Sequence, residues 1–212
     1  MAGDPGDRPL VAVLDYGIGN LRSAQKALEK VGADARLTAD HGLIADAAGV
    51  VLPGVGAFGP CMAALREARL DHDAVEAIGA DRPFLGVCIG MQMLFDGSAE
   101  SPGVDGLGVL PGRVCRLPNG VKHPQMQWNV LDVSRPCALL SGLVEPTWVY
   151  FVHSYAAHAD PADVVATCDY GGPVTAVVGR DRLWATQFHP EKSSHAGLAL
   201  LANFVGLCAT TR

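Results

Sequence analysis

The N-terminal half alternates short unbroken apolar runs with stretches of helical period. Leu10 to Leu14 is continuously apolar, the pattern of a strand buried on both faces. After the turn Asp15-Tyr16-Gly17-Ile18-Gly19-Asn20, residues Leu21, Ala24, Leu28 and Val31 fall on one helical stripe. Asn20 suits its N-cap and Gly32 its stop. Ala33 to Leu37 and Gly49 to Leu52 read as the second and third strands, followed by the glycine-rich loop Pro53 to Phe58. Helices are predicted over about 59–68 and 71–80, before a strand from Pro83 to Val87 and a short helix from Met91 to Phe95. This alternation predicts an α/β fold with a doubly wound, mainly parallel sheet. In such a sheet functional residues gather beyond the carboxyl ends of the strands. Asp15, Gly54, Cys88 and His189 each stand just past an apolar run.

The texture changes from about Leu107. Short β-like runs follow, Arg113 to Leu117, Trp128 to Val133, Trp148 to Val152, Val164 to Cys168, Val174 to Val178 and Leu183 to Phe188, separated by Gly, Pro and Asn. They predict an antiparallel or mixed extension of the same sheet. Leu198, Leu201, Val205 and Cys208 mark a last helix at the same helical spacing. With no internal repeat and no linker, one domain over residues 1–212 is the simplest organisation.

Composition narrows the function classes. The chain of 212 residues is 49% hydrophobic and 18% charged, enough for a sizeable core and unlike a disordered chain. Its net charge of −6, without a basic stripe, argues against nucleic acid as a partner. The polar start, Met1 to Pro9, has no apolar leader core, and no apolar run reaches membrane-spanning length. A cytoplasmic location without membrane attachment is therefore expected. The six cysteines are scattered without a Cys-x-x-Cys pair, so neither zinc nor a redox motif is indicated, and free thiols are expected.

Against this background one segment carries chemistry. Gly86-Val87-Cys88-Ile89-Gly90 joins an apolar strand to a short helix, the pattern of a nucleophile elbow with sulfur in place of oxygen. Its glycines suit a tight turn, and the thiol would sit at a helix N-terminus. About a hundred residues later Gln187-Phe188-His189-Pro190-Glu191 supplies a base and, two residues beyond it, a carboxylate. A lone cysteine is more often a buried small hydrophobe. A cysteine and a histidine each following a strand, in this order, point instead to acyl transfer by Cys88, His189 and Glu191. The oxyanion would be held by the backbone N–H of Ile89 and by the Gly54-Val55 loop. Gly17-x-Gly19 lacks the third glycine of a dinucleotide fingerprint, since Arg22 stands there, so no cofactor is expected.

These residues closely resemble class I (triad) glutamine amidotransferases. Within them the chain is similar to the glutaminase subunits of imidazole glycerol phosphate synthases over nearly its whole length. The resemblance rests on Asp15-Tyr16-Gly17-Ile18-Gly19-Asn20, Pro53-Gly54-Val55-Gly56-Ala57-Phe58, the elbow through Gln92, Met126-Gln127-Trp128-Asn129, Tyr150-Phe151-Val152-His153-Ser154-Tyr155 and Gln187 through Ser193. At position 127 this chain has Gln where the family pattern has Gly. The resemblance implies a flavodoxin-like fold with a β-rich C-terminal half, and glutamine hydrolysis by Cys88, His189 and Glu191. It implies Val55 and Ile89 at the oxyanion, and Gly54, Gln92, Glu100, Ser154 and Tyr155 around the substrate. It further implies a heterodimer with a (β/α)8-barrel cyclase that takes up the ammonia, met through Asn20, Trp128, Tyr150 and Lys192. A glutaminase serving an anthranilate, guanylate or pyridoxal phosphate synthase, and a non-catalytic scaffold subunit, remain alternatives, as does a cysteine peptidase.

Overall fold

The computed structural model describes residues 8–19 and 21–210. Strand β1 (Leu10–Leu14) opens the chain and helix α1 (Leu21–Lys30) buries Leu21, Ala24, Ala27 and Leu28 on one face. The expected N-cap, Asn20, lies outside the described residues. Gly32 adopts φ +103°, a left-handed conformation that stops the helix where the sequence places the stop. Strands β2 (Asp34–Thr38) and β3 (Gly49–Gly54), helices α3 (Phe58–Glu67) and α4 (Leu70–Gly79), and strand β4 (Phe84–Cys88) follow within one or two residues of expectation. A further helix, α2 (His41–Asp46), stands between β2 and β3. The short helix after Cys88, α5 (Ile89–Gln92), starts at once rather than at Met91.

The later strands are β5 (Gly112–Arg116), β6 (Gln125–Val130), β7 (Asp132–Val133), β8 (Trp148–His153), β9 (Tyr155–Ala159), β10 (Val164–Asp169), β11 (Pro173–Arg180) and β12 (Leu183–Thr186). Helix α6 (Ser194–Ala209) closes the described chain. The main sheet has the order β2-β1-β3-β4-β12-β11-β10-β7. Its first five strands pair in parallel and the last three are added antiparallel. This is the expected mixed, mainly parallel sheet. Strands β3 and β4 are buried at every position, which requires cover on both faces. Helix α1 packs on α6, and α2 and α3 pack on α4. The expectation that all later strands extend this sheet is corrected. β5 pairs with β9, and β6 with β8, as two separate antiparallel ribbons.

β12 lies between β4 and β11, and its end aligns with that of β4: Thr186 pairs with Val87. The strand after which His189 follows is thus the neighbour of the strand that carries Cys88. Topology alone brings two residues a hundred positions apart to one edge of the sheet. Among the described residues no helix is long and apolar enough to cross a membrane, and all six cysteines are free thiols.

Candidate active site

Cys88 ends β4 and caps α5 with φ +56° and ψ −109°. A non-glycine residue held there is strained, and such strain persists only where the surroundings enforce it. The enforcing contacts come from the two flanking glycines, for a reason other than the turn. Neither Gly86 nor Gly90 has a left-handed φ. A Cβ at Gly86 would sit 3.0 Å from the Gly90 carbonyl oxygen and 3.1 Å from Ala185 Cβ. A side chain at Gly90 would run into the Leu52 carbonyl. The glycines let α5 press against β3 and β12, and the cysteine itself takes the bend.

His189 is buried and its backbone is fixed on both sides. Its N–H donates to the Tyr150 carbonyl (3.1 Å), and its carbonyl accepts from the Ser193 hydroxyl (2.7 Å). Phe188 beside it packs edge-on against Phe151 of β8, ring centroids 5.7 Å apart. A 3₁₀ turn over Pro190–Lys192 folds Glu191 back, so that its Oε1 lies 2.8 Å from His189 Nδ1. With Nδ1–H donated to Glu191, Nε2 is left for the Cys88 sulfur, which hydrogen-bonds to the imidazole. Burial alone would lower the pKa of His189. The contacts with Cys88 and Glu191 outweigh it and raise the value to about 9. The imidazolium is therefore the resting form at neutral pH. α5 is a single turn, so its dipole is short, and the imidazolium is the stronger influence on the sulfur.

A cavity of about 320 Å³ opens over the sulfur, lined by Val55, Gly56, Cys88, Ile89, Gln92, Glu100, Pro124, Val152, His153, Ser154, Tyr155, His189 and Lys192. All the residues expected for catalysis, oxyanion and substrate line it except Gly54 and Glu191. Gly54 packs behind Val55, where a Cβ would come within 2.8 Å of Ile89 Cβ and of the Gly90 nitrogen. Glu191 lies behind His189. Glu100 reaches the wall while its Oε2 accepts the Phe58 N–H at 2.8 Å, which leaves the other carboxylate oxygen free of that bond. Lys192 is exposed at the cavity, Trp128 is exposed on β6, and the ring of Tyr150 meets Trp128 edge-on at 6.0 Å.

Two residues with no role assigned from the sequence join the site. Gln187 Nε2 approaches Cys88 Sγ at 3.8 Å, and Gln92 Nε2 in turn donates to Gln187 Oε1 (3.1 Å) and to the Tyr155 carbonyl (2.9 Å). Gln187 lies in the bend just after β12, so no periodic signal in the sequence marked it. His153, at 6% exposure, donates its Nδ1–H to the Tyr155 carbonyl at 2.8 Å, since a carbonyl can only accept.

The class-I glutamine amidotransferase family model matches residues 12–207. The chain belongs to this family. A solved structure described as a glutamine amidotransferase superposes with a TM-score of 0.74 at 21% identity, covering 93% of this chain and 98% of that one, which establishes the fold. Among curated relatives, the imidazole glycerol phosphate synthase subunit HisH of Synechococcus elongatus is 50% identical over 202 residues, 93% of each chain. The protein of the same name from Desulfitobacterium hafniense is 46% identical over 196 residues, 92% of this chain and 93% of that one. An amidotransferase releases ammonia from the side-chain amide of glutamine, and the cavity over Cys88 is the place in this fold where a cysteine sulfur, an imidazole and a carboxylate meet.

Proposed function

We propose that this amidotransferase is the glutaminase subunit of an imidazole glycerol phosphate synthase, acting in histidine biosynthesis through Cys88, His189 and Glu191. The observation that carries the reading is the Cys88–His189–Glu191 chain at the floor of an amino-acid-sized cavity, in a sequence about half identical to synthase subunits.

The geometry supports the following chemistry. The Cys88 sulfur attacks the carboxamide carbon of glutamine, and the carbonyl π electrons move onto oxygen. The N–H groups of Ile89 and Val55 receive the oxyanion. Collapse breaks the C–N bond as His189 gives its proton to nitrogen, so ammonia leaves and a thioester remains. Water then attacks the thioester with neutral His189 as base. Glutamate departs and the thiolate–imidazolium pair is restored. Glu191 holds the imidazole and favours its charged form. Glu100 receives the substrate ammonium through its free oxygen, and backbone N–H groups near Ser154 and Tyr155 receive the carboxylate. Gln92 and Gln187 tie that end of the cavity to the sulfur. The whole chain serves as one catalytic unit, and its place of work is the cytoplasm.

Ammonia needs an acceptor. The partner is a cyclase subunit of (β/α)8-barrel fold, docked on the surface around Trp128, Tyr150 and Lys192; Asn20, which would belong to the same surface, lies outside the described residues. The glutaminase assay, run with and without the cyclase and its nucleotide ligand, tests the reading. Slow turnover alone and a large increase with the liganded cyclase are expected. Glutamine turnover surviving in Cys88→Ala would overturn the triad, and fast turnover by the subunit alone would overturn the dependence on the partner.

A further inference from the structure

The loop that carries Val55 is held by two side chains that never reach the cavity. The Tyr16 hydroxyl, from the turn after β1, donates to the Pro53 carbonyl at 2.6 Å. The Cys61 thiol, from the first turns of α3, donates to the Val55 carbonyl at 3.2 Å. Both residues are buried. Burial raises both acidities' pKa values, so each group stays protonated and remains a donor. Between the two pinned carbonyls lies one peptide, Gly54–Val55. The Tyr16 oxygen fills the space a Cβ at Gly54 would need, at 3.0 Å.

We infer that Tyr16 and Cys61 form a clasp that sets the orientation of the Gly54–Val55 peptide, making both of them positioning residues for the oxyanion donor. The inference rests on the assignment of Val55 to the oxyanion. The physical argument is local. A glycine peptide has freedom to rotate, and Gly54 is followed by Val55 and by Gly56 at φ +96°. A donor contributes to the rate only when it stands about 3 Å from where charge develops, and small misplacements are costly. Fixing the carbonyls before and after the peptide limits rotation at both ends without placing a side chain in the cavity. Neither group touches substrate, so removing either one alters the transition state through the loop alone.

The test uses the full chain with its synthase partner at saturation, in Tyr16→Phe, Cys61→Ala and Cys61→Ser. Tyr16→Phe removes one oxygen and leaves the buried ring. A fall in kcat of roughly tenfold to a hundredfold with little change in KM is expected for Tyr16→Phe and Cys61→Ala, because the oxyanion exists only in the transition state. Cys61→Ser keeps a donor and recovers part of the loss. The rate of Cys88 alkylation by iodoacetamide, followed site by site by mass spectrometry, stays at the wild-type value. Wild-type kcat in both donor-deleted variants overturns the clasp. So does a fall in kcat matched by an equal fall in Cys88 alkylation, since the nucleophile would then be what moved. Cys88→Ala separates the two levels of the argument: if it still turns over glutamine, the triad reading fails, whereas a dead Cys88→Ala beside unaffected Tyr16→Phe and Cys61→Ala condemns the clasp alone.

Discussion

Two histidines wall the same cavity and are driven in opposite directions. His153 is pushed down to about 4, chiefly by burial, with only the Tyr155 carbonyl to favour its charged form. His189 feels burial too, but Cys88 and Glu191 carry it up to about 9. The consequences for stability follow from proton counting. In the unfolded chain both titrate near the ordinary value of about 6.5. His153 therefore contributes stability that is lost as pH falls from that value toward 4. His189 contributes stability present below about 6.5 and lost as pH rises through 9. In the proposed mechanism the same proton on His189 is the one given to the leaving ammonia. Glu191→Gln removes a charge that holds this proton, so the alkaline limb of kcat/KM should move to lower pH, with kcat reduced by about a hundredfold. A pH–rate profile of the variant with its partner checks this. An alkaline limb that stays where the wild type has it would show that Glu191 does not set the charge of the imidazole. The roles of these residues were unequally legible: Cys88, His189 and Glu191 stand out by motif, whereas the contrast between His153 and His189 depends on neighbours that only folding supplies.

At the level of elements, what the sequence revealed was whatever buries a continuous pattern. β1, β3 and β4 are unbroken apolar runs, and α1 and α6 carry stripes at helical spacing. Two elements escaped. α2 buries only Ile44, so it has no stripe to read. β9 is Tyr-Ala-Ala-His-Ala, rich in a residue that favours helices, and it exists because β5 pairs with it from Arg116↔Tyr155 to Gly112↔Ala159. The ribbons β5–β9 and β6–β8 could not be separated from the main sheet by composition, because strand partners are set by tertiary contacts. α2 did leave a local trace in its cap. Asp40 accepts the Leu43 N–H at 2.8 Å, while His41 meets Asp73 of α4 at 2.7 Å and Arg82 donates to the Ile44 and Ala45 carbonyls at the other end. Asp40→Ala should therefore lower the unfolding free energy by about 1 kcal/mol in a denaturant titration. Glutamine turnover should be unaltered, since α2 packs on α4 and β1 and contributes nothing to the cavity. An unchanged midpoint would mean that the cap is dispensable and that the packing of Ile44 with the contacts from Asp73 and Arg82 sustains the helix.

Across the whole molecule, the β6–β8 ribbon joins the active site to the outside. Its register pairs Met126 with Val152, Trp128 with Tyr150 and Val130 with Trp148, so these six side chains share one face. That face is apolar and open: Met126 is 60% exposed, Trp128 43% and Trp148 51%. Surface of this kind on a chain of net charge −6 is suited to a partner that buries it, with the aromatic residues as anchors. The same ribbon reaches inward. Val152 and His153 at its end line the cavity, and the Tyr150 carbonyl holds the His189 backbone. A protein seated on Trp128 and Tyr150 would thus press on the strand that holds the His189 backbone, which would give docking a mechanical route to the proposed triad. If the proposed cyclase docks here, Trp128→Ala should weaken its association by about 2 kcal/mol, roughly thirtyfold in Kd, as measured by titration calorimetry. The stimulated glutaminase rate should return as the cyclase concentration is raised, because the variant alters occupancy. Val144→Ser, which removes a side chain 82% exposed in the loop before β8, should leave Kd unchanged. Equal affinity in Trp128→Ala and wild type would move the interface elsewhere on the molecule and leave this exposed ribbon without a purpose.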